Sequence, residues 1–307
     1  MNFNHRNNEK NILTPVFCGS SCCLCATNST IFSYFFNPLH FNPAYAGSRG
    51  SLNATLVHRA QWLGWEGAPR SQFLSIHAPV YRKNIGLGLT INNDKVGARS
   101  NVAALFNAAY HLRFNNSSWR LSFGMSGGWM NNQADFSSLL ATDINDPNMM
   151  QGYSLSKPNI GAGIYTYHKK GYLGLSIPHL IERNLDTISN SYLQRHIYLT
   201  GGLVFPYNSV IDIKPSILLK YTANAPLSLD LNVSAFLYKQ FWLGILYRYN
   251  EGVGFNCAYA PSDRWSLGYA YELPANKLIY RNWGSHEICL TFDLRSKLNA
   301  FISPRYF

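Results

Sequence analysis

From Ser51 almost to its C-terminus, this chain alternates apolar and polar residues with a period of two. In 209–221, Ile211, Ile213, Pro215, Ile217, Leu219 and Tyr221 share one side of an extended chain, with Asp212, Lys214, Ser216 and Lys220 on the other. In 227–237, Leu227, Leu229, Leu231, Val233, Ala235 and Leu237 oppose Ser228, Asp230, Asn232 and Ser234. Only a β-strand places i, i+2 and i+4 on one face, so a helical protein is excluded. Comparable stretches begin near Leu52, Gln72, Asn84, Asn101, Trp119, Asn159, Tyr172, His196, Phe241, Val253, Trp265 and His286. The expectation is an all-β antiparallel meander of about fourteen strands, each about 8–13 residues long.

Strand length decides between a soluble sandwich and a barrel. Sandwich strands run about 5–6 residues, whereas a tilted strand of about 9–11 crosses a bilayer. The polar face carries Arg59, Gln61, Asp212, Lys214, Lys220, Asp230, Glu287 and Asp293, which suits a wet or plugged lumen. The apolar face is aliphatic, with Trp62, Trp119, Trp129, Trp265 and Tyr271 near strand ends, where interfacial girdles sit. Closure removes the open edges that lipid does not tolerate. The links sort by length as well. Short ones at 80–83, 115–118, 168–170, 206–208, 239–240 and 261–264 alternate with longer ones that include 63–70, 93–99, 131–157, 178–194 and 274–283. Short periplasmic turns and long outer loops are the pattern of an outer-membrane barrel.

Only 13% of the 307 residues are charged, and no apolar run is long enough for a transmembrane helix. The formal charge of +11 is scattered, which fits solvent or an anionic membrane surface and argues against nucleic acid. Cys18, Cys22, Cys23 and Cys25 crowd the first segment without the spacing of a zinc site. Residues 1–26 read as an irregular secretory leader, 27–50 as a periplasmic segment leading into the barrel, 51–296 as the barrel and 297–307 as a periplasmic tail. The nine histidines lack metal-ligand spacing and no nucleophile elbow is present, so neither catalysis nor a cofactor is expected. Gly86, Gly88, Gly161 and Gly163 recur on the lumen-facing parity, where backbone or a plug approaches closely.

FFNPLHFNPAYAGSRGSL, with Asn42 to Gly47 spelling NPAYAG, resembles the PorP/SprF family of outer-membrane proteins of Bacteroidetes. The likeness continues through RAQWLGWEGAPRSQFLSIHAP, KNIGLGLTINNDKVG, KPSILLKYTANAPLSLDLN, FWLGILYR and GSHEICLTFDL to the terminal SPRYF. The resemblance implies a non-enzymatic barrel of the type IX secretion and gliding machinery, in the outer membrane and serving secretion or surface display of large proteins. Implied partners are outer-membrane lipid, periplasmic secretion and peptidoglycan-linked components, and cargo with a type IX C-terminal sorting domain. A passive porin is the alternative on the same fold.

Three groups of residues are candidate sites. Asn42, Pro43, Ala44, Tyr45, Ala46 and Gly47 form either an ordinary turn before the first strand or a docking corner beneath the barrel, with Tyr45 as an interfacial ring. Ser303, Pro304, Arg305, Tyr306 and Phe307 form a terminal signal or tail. Asp212, Lys214, Lys220 and Asp230 are lumen charges, acting as a ladder that stiffens the wall or as a selectivity filter.

Overall fold

The computed structural model describes residues 34–80, 84–115, 117–135, 152–181, 183–184, 192–223, 225–275 and 283–294. The expected leader and the Ser303–Phe307 tail lie outside the described residues.

Fourteen antiparallel strands form the wall. They are β1 (Leu52–Ala60), β2 (Arg70–Pro79), β3 (Ile85–Val96), β4 (Arg99–Arg113), β5 (Arg120–Ala134), β6 (Tyr153–His168) and β7 (Gly171–Ile177), followed by β8 (His196–Leu203), β9 (Ile211–Thr222), β10 (Ser228–Leu237), β11 (Phe241–Arg248), β12 (Gly252–Tyr259), β13 (Trp265–Pro274) and β14 (Ser285–Leu294). Each pairs with its sequence neighbours, and β14 returns to β1 with Leu52 opposite Leu294, so the sheet is a closed barrel. Phe205–Pro206 adds a short pairing to this sheet against the start of β9, and Arg183–Asn184 pairs with Tyr192–Leu193 in a separate two-stranded sheet.

The alternation read from sequence sorts as expected. On β10, Leu231 and Val233 are 41% and 55% exposed, while Asp230, Asn232 and Ser234 are buried. Trp119, Trp129 and Trp265 face outward. The longest links, 61–69, 135–152, 178–195 and 275–284, all lie at one end of the barrel.

Two boundaries differ from expectation. The loop expected at 93–99 is a tight turn at 97–98, because β3 runs on to Val96 and β4 starts at Arg99. The loop expected at 131–157 is shorter, since β5 continues to Ala134 and β6 starts at Tyr153 rather than near Asn159. In these extensions Asn92, Asn93, Asn131, Asn132, Ser154 and Ser156 make both faces polar, so apolar alternation stops where the hydrogen-bonded ladder continues.

Candidate functional site: a plug and an ion network in the lumen

The lumen is not lined by polar groups alone. Residues 34–51 run inside it, forming a four-residue α-helix, α1 (Pro38–Phe41), and then a 3-10 turn at Pro43–Tyr45. Proline at the first position of each suits the fixed φ and the missing N–H. Tyr34, Phe35 and Phe41 pack there with Val57, Phe73 and Leu218 of the wall, so an apolar core forms inside the barrel.

NPAYAG is the centre of this plug. Asn42 accepts the Ala44 N–H on Oδ1 at 2.9 Å, capping the turn, and donates from Nδ2 to the Ile164 carbonyl of β6 at 2.9 Å. Further backbone groups of the plug find partners in the wall. Ser122 donates to the Ala44 carbonyl at 2.6 Å, and Ser176 to the Phe41 carbonyl at 2.8 Å. His111 Nε2 donates to the Ala46 carbonyl at 2.9 Å, while the Gly47 N–H donates to His77 Nδ1 at 3.1 Å. These bonds meet the requirement that buried backbone groups be paired.

Glycines in the wall allow the plug to come this close. A side chain at Gly86 would run into the Ala46 carbonyl, one at Gly124 into the Ala44 backbone, and one at Gly163 into the Asn42 side chain. Gly88 faces Leu39 in the same way, at 3.1 Å from where a Cβ would sit. Gly161 has a different neighbour, the Pro178 carbonyl. Gly47 has φ +76°, a left-handed conformation that L side chains rarely adopt, and an added Cβ would lie 2.6 Å from Gly86 Cα.

The corner expected beneath the barrel is therefore inside it. Asn42, Ala44, Tyr45 and Ala46 are at most 2% exposed. Tyr45 is not an interfacial ring: it packs edge-on to His77 and Tyr165 in the lumen, and its hydroxyl accepts from Arg49 Nε at 3.0 Å. Arg49 in turn pairs with Asp293 of β14 at 3.1 Å, tying the plug to the wall where β1 begins. His40 lies between Phe41 and Phe73, and burial lowers its pKa to about 4.

At the long-link end a second set of residues forms a buried ion network inside the barrel. Arg248 binds Asp230 through Nε at 3.0 Å and Nη2 at 3.1 Å, and reaches Glu272 through Nη1 at 3.0 Å. Glu272 is shared with Arg59 at 2.6 Å, and Arg59 also meets Glu287 at 3.3 Å. Lys220 approaches Asp230 at 3.9 Å. Of the four expected lumen charges, Lys220 and Asp230 come together. Lys214 lies over the Tyr172 and Trp242 rings, at 5.6 and 5.7 Å. Asp212 stands at the start of β9, at the short-link end. Sequence reading missed Arg248 and Glu272, whose only signal was polar parity on β11 and β13. Tyr34 of the plug donates to Ser216 at 3.0 Å, continuing an amide chain through Asn232 and Asn256. A cavity of about 60 Å³ remains beside the plug, with Phe36, Lys214 and Trp242 in its lining.

A closed barrel with a lipid-facing aliphatic belt, aromatic residues at the strand ends and a filled interior is an outer-membrane β-barrel protein. A family model described as "Type IX secretion system membrane protein PorP/SprF" matches residues 26–292, and the chain belongs to that family. Among solved structures, the CymD monoaromatic hydrocarbon channel is similar at 12% identity, TM-score 0.51, over 85% of this chain and 93% of that one. The Ralstonia pickettii toluene transporter TbuX is similar at 10% identity, TM-score 0.50, over 83% and 92% respectively. At such identities the likeness is one of fold. No curated protein matches the chain.

Proposed function

We propose that this protein is a non-enzymatic component of the type IX secretion and gliding machinery, acting by binding protein partners so that cognate large proteins are secreted or displayed at the surface. Its short-link end would face the periplasm, towards secretion and peptidoglycan-linked components. Its long links would face outward, towards cargo bearing a type IX C-terminal sorting domain. The observation that carries this reading over a passive porin is the lumen: in a chain of this family, a hydrogen-bonded plug and a buried ion network stand where a porin keeps water. NPAYAG then serves as the internal anchor, and partner contacts fall on surfaces outside the lipid.

A strain lacking the protein tests this. It should keep its small-solute permeability and fail to display one cognate surface protein. Normal display in that strain would remove the reading, and lost permeability together with conductance of the purified barrel in planar bilayers would support the porin.

A further inference from the structure

β6 has unequal ladders on its two sides. Towards β5 it is paired from Tyr153 to Tyr167, but towards β7 only from Ala162 to His168, because β7 stops at Ile177. Beyond Ala162, the chain leaving β7 contributes one more backbone bond, from the Leu180 N–H to the Ile160 carbonyl at 2.9 Å. Asn159 pins that chain by donating to the Pro178 carbonyl at 3.0 Å. Past this point, no described residue pairs with the β7 side of β6. The Ile160 carbonyl faces that side, so the two-residue period turns the backbone groups of Pro158, Ser156 and Ser154 the same way. Pro158 has no N–H to leave unpaired, which is why proline is tolerated on an edge. Among the described residues, what remains open is the N–H and C=O of Ser154 and of Ser156, with the C=O of Pro158.

This edge lies outside the hydrocarbon. From His168 to Pro158 the strand already has the length of about 9–11 residues that crosses a bilayer. Trp129, 63% exposed, sits opposite both Ala104 and Pro158 and marks the interface. Beyond it, Asn101, Asn131, Asn132, Gln133 and Ser156 make the sheet polar on both faces. Folded proteins normally blunt an open edge with proline or charge, and Pro158 does so only at the membrane end.

We propose that this edge takes up an extended segment of another surface-exposed protein by strand addition, with backbone hydrogen bonds to Ser154, Ser156 and Pro158. A second copy does not fit. Two copies in one membrane are related by an axis along the membrane normal, which brings identical edges together running the same way, with donor facing donor at each height. The sidedness rests on the proposed function, and the partner would be a strand of what the machinery displays.

The test uses the full chain in living cells, with a benzophenone amino acid at position 154 and cross-linked peptides identified by mass spectrometry. One segment of one surface protein should be recovered. Ser156→Pro, which removes an open N–H and leaves the β5 ladder intact, should cut that recovery at least tenfold, and Ser156→Ala should not. Cross-links to residues 178–195 of the same chain or to a second copy, or recovery unmoved by Ser156→Pro, would overturn the proposal. If Ser156→Pro does not assemble, amide exchange in the wild type decides. The Ser154 and Ser156 amides should exchange freely in the purified barrel and at least tenfold more slowly in native membranes, and equal rates would overturn the idea. Failed display in the deletion strain without the cross-link leaves the secretion reading standing and removes strand addition. The cross-link with normal display does the reverse.

Discussion

Arg248 and Asp230 form a two-point ion pair on neighbouring strands, Nε to Oδ1 at 3.0 Å and Nη2 to Oδ2 at 3.1 Å, with the carboxylate fully buried. Removing one member strands a buried charge, which costs about 3–5 kcal/mol, whereas replacing both with apolar residues of similar volume is often neutral. Arg248→Met should therefore lower the urea midpoint of the detergent-solubilised barrel sharply, and Arg248→Met with Asp230→Leu should recover most of the loss. Equal losses in single and double variants would mean that the network contributes packing rather than charge.

Gly124→Ala places a methyl group on the Ala44 backbone, where no side chain can rotate away. Overpacking of this kind costs about 1–3 kcal/mol. Amide exchange across residues 38–47 should speed up roughly 5- to 150-fold on that scale, while strand amides away from β5 keep their protection. Unchanged exchange would show that the plug shifts without strain.

Asn42→Ala removes the bond to the Ile164 carbonyl and the cap on Ala44, whose buried N–H loses its Asn42 partner. An unpaired buried donor costs about 1–3 kcal/mol. The variant should remain heat-modifiable on gels and acquire ion conductance in planar bilayers that the wild type lacks. An assembled, silent variant would place the seal in the Arg59–Arg248 network.

Acid should loosen the plug. His40 is held at about 4, below its ordinary 6.5, so the unfolded chain binds the proton first. Plug stability is full above pH 6.5 and declines as pH falls towards 4. Exchange across residues 38–47 should rise over that window, and His40→Phe should flatten the rise. A profile flat from pH 7 to 4 would remove His40 from the plug's energetics.

How far each feature could be read in the sequence depended on how local its cause was. The inward face of β10 was legible because parity needs only Asp230, Asn232 and Ser234 in a row. The outer half of β6 was not, because Ser154, Ser156 and Pro158 resemble a loop once lipid no longer demands an apolar face. The wall glycines Gly86 and Gly163 signalled a close approach without revealing what approached.

By itself, the sequence determined a membrane barrel, its strand number, the face taken by residues in the alternating stretches and the end that carries the long links, since these follow from a two-residue period and the solvents on either side of the wall. The tertiary structure alone decided that Arg248 meets Asp230, that NPAYAG lies inside the barrel rather than beneath it, and that the β6–β7 ladder ends at Ala162 while the β5–β6 ladder runs on to Tyr153. Those outcomes depend on cross-strand register and on contacts such as Ser122 to Ala44, which join distant parts of the chain through closure of the barrel and leave no periodic trace in either partner.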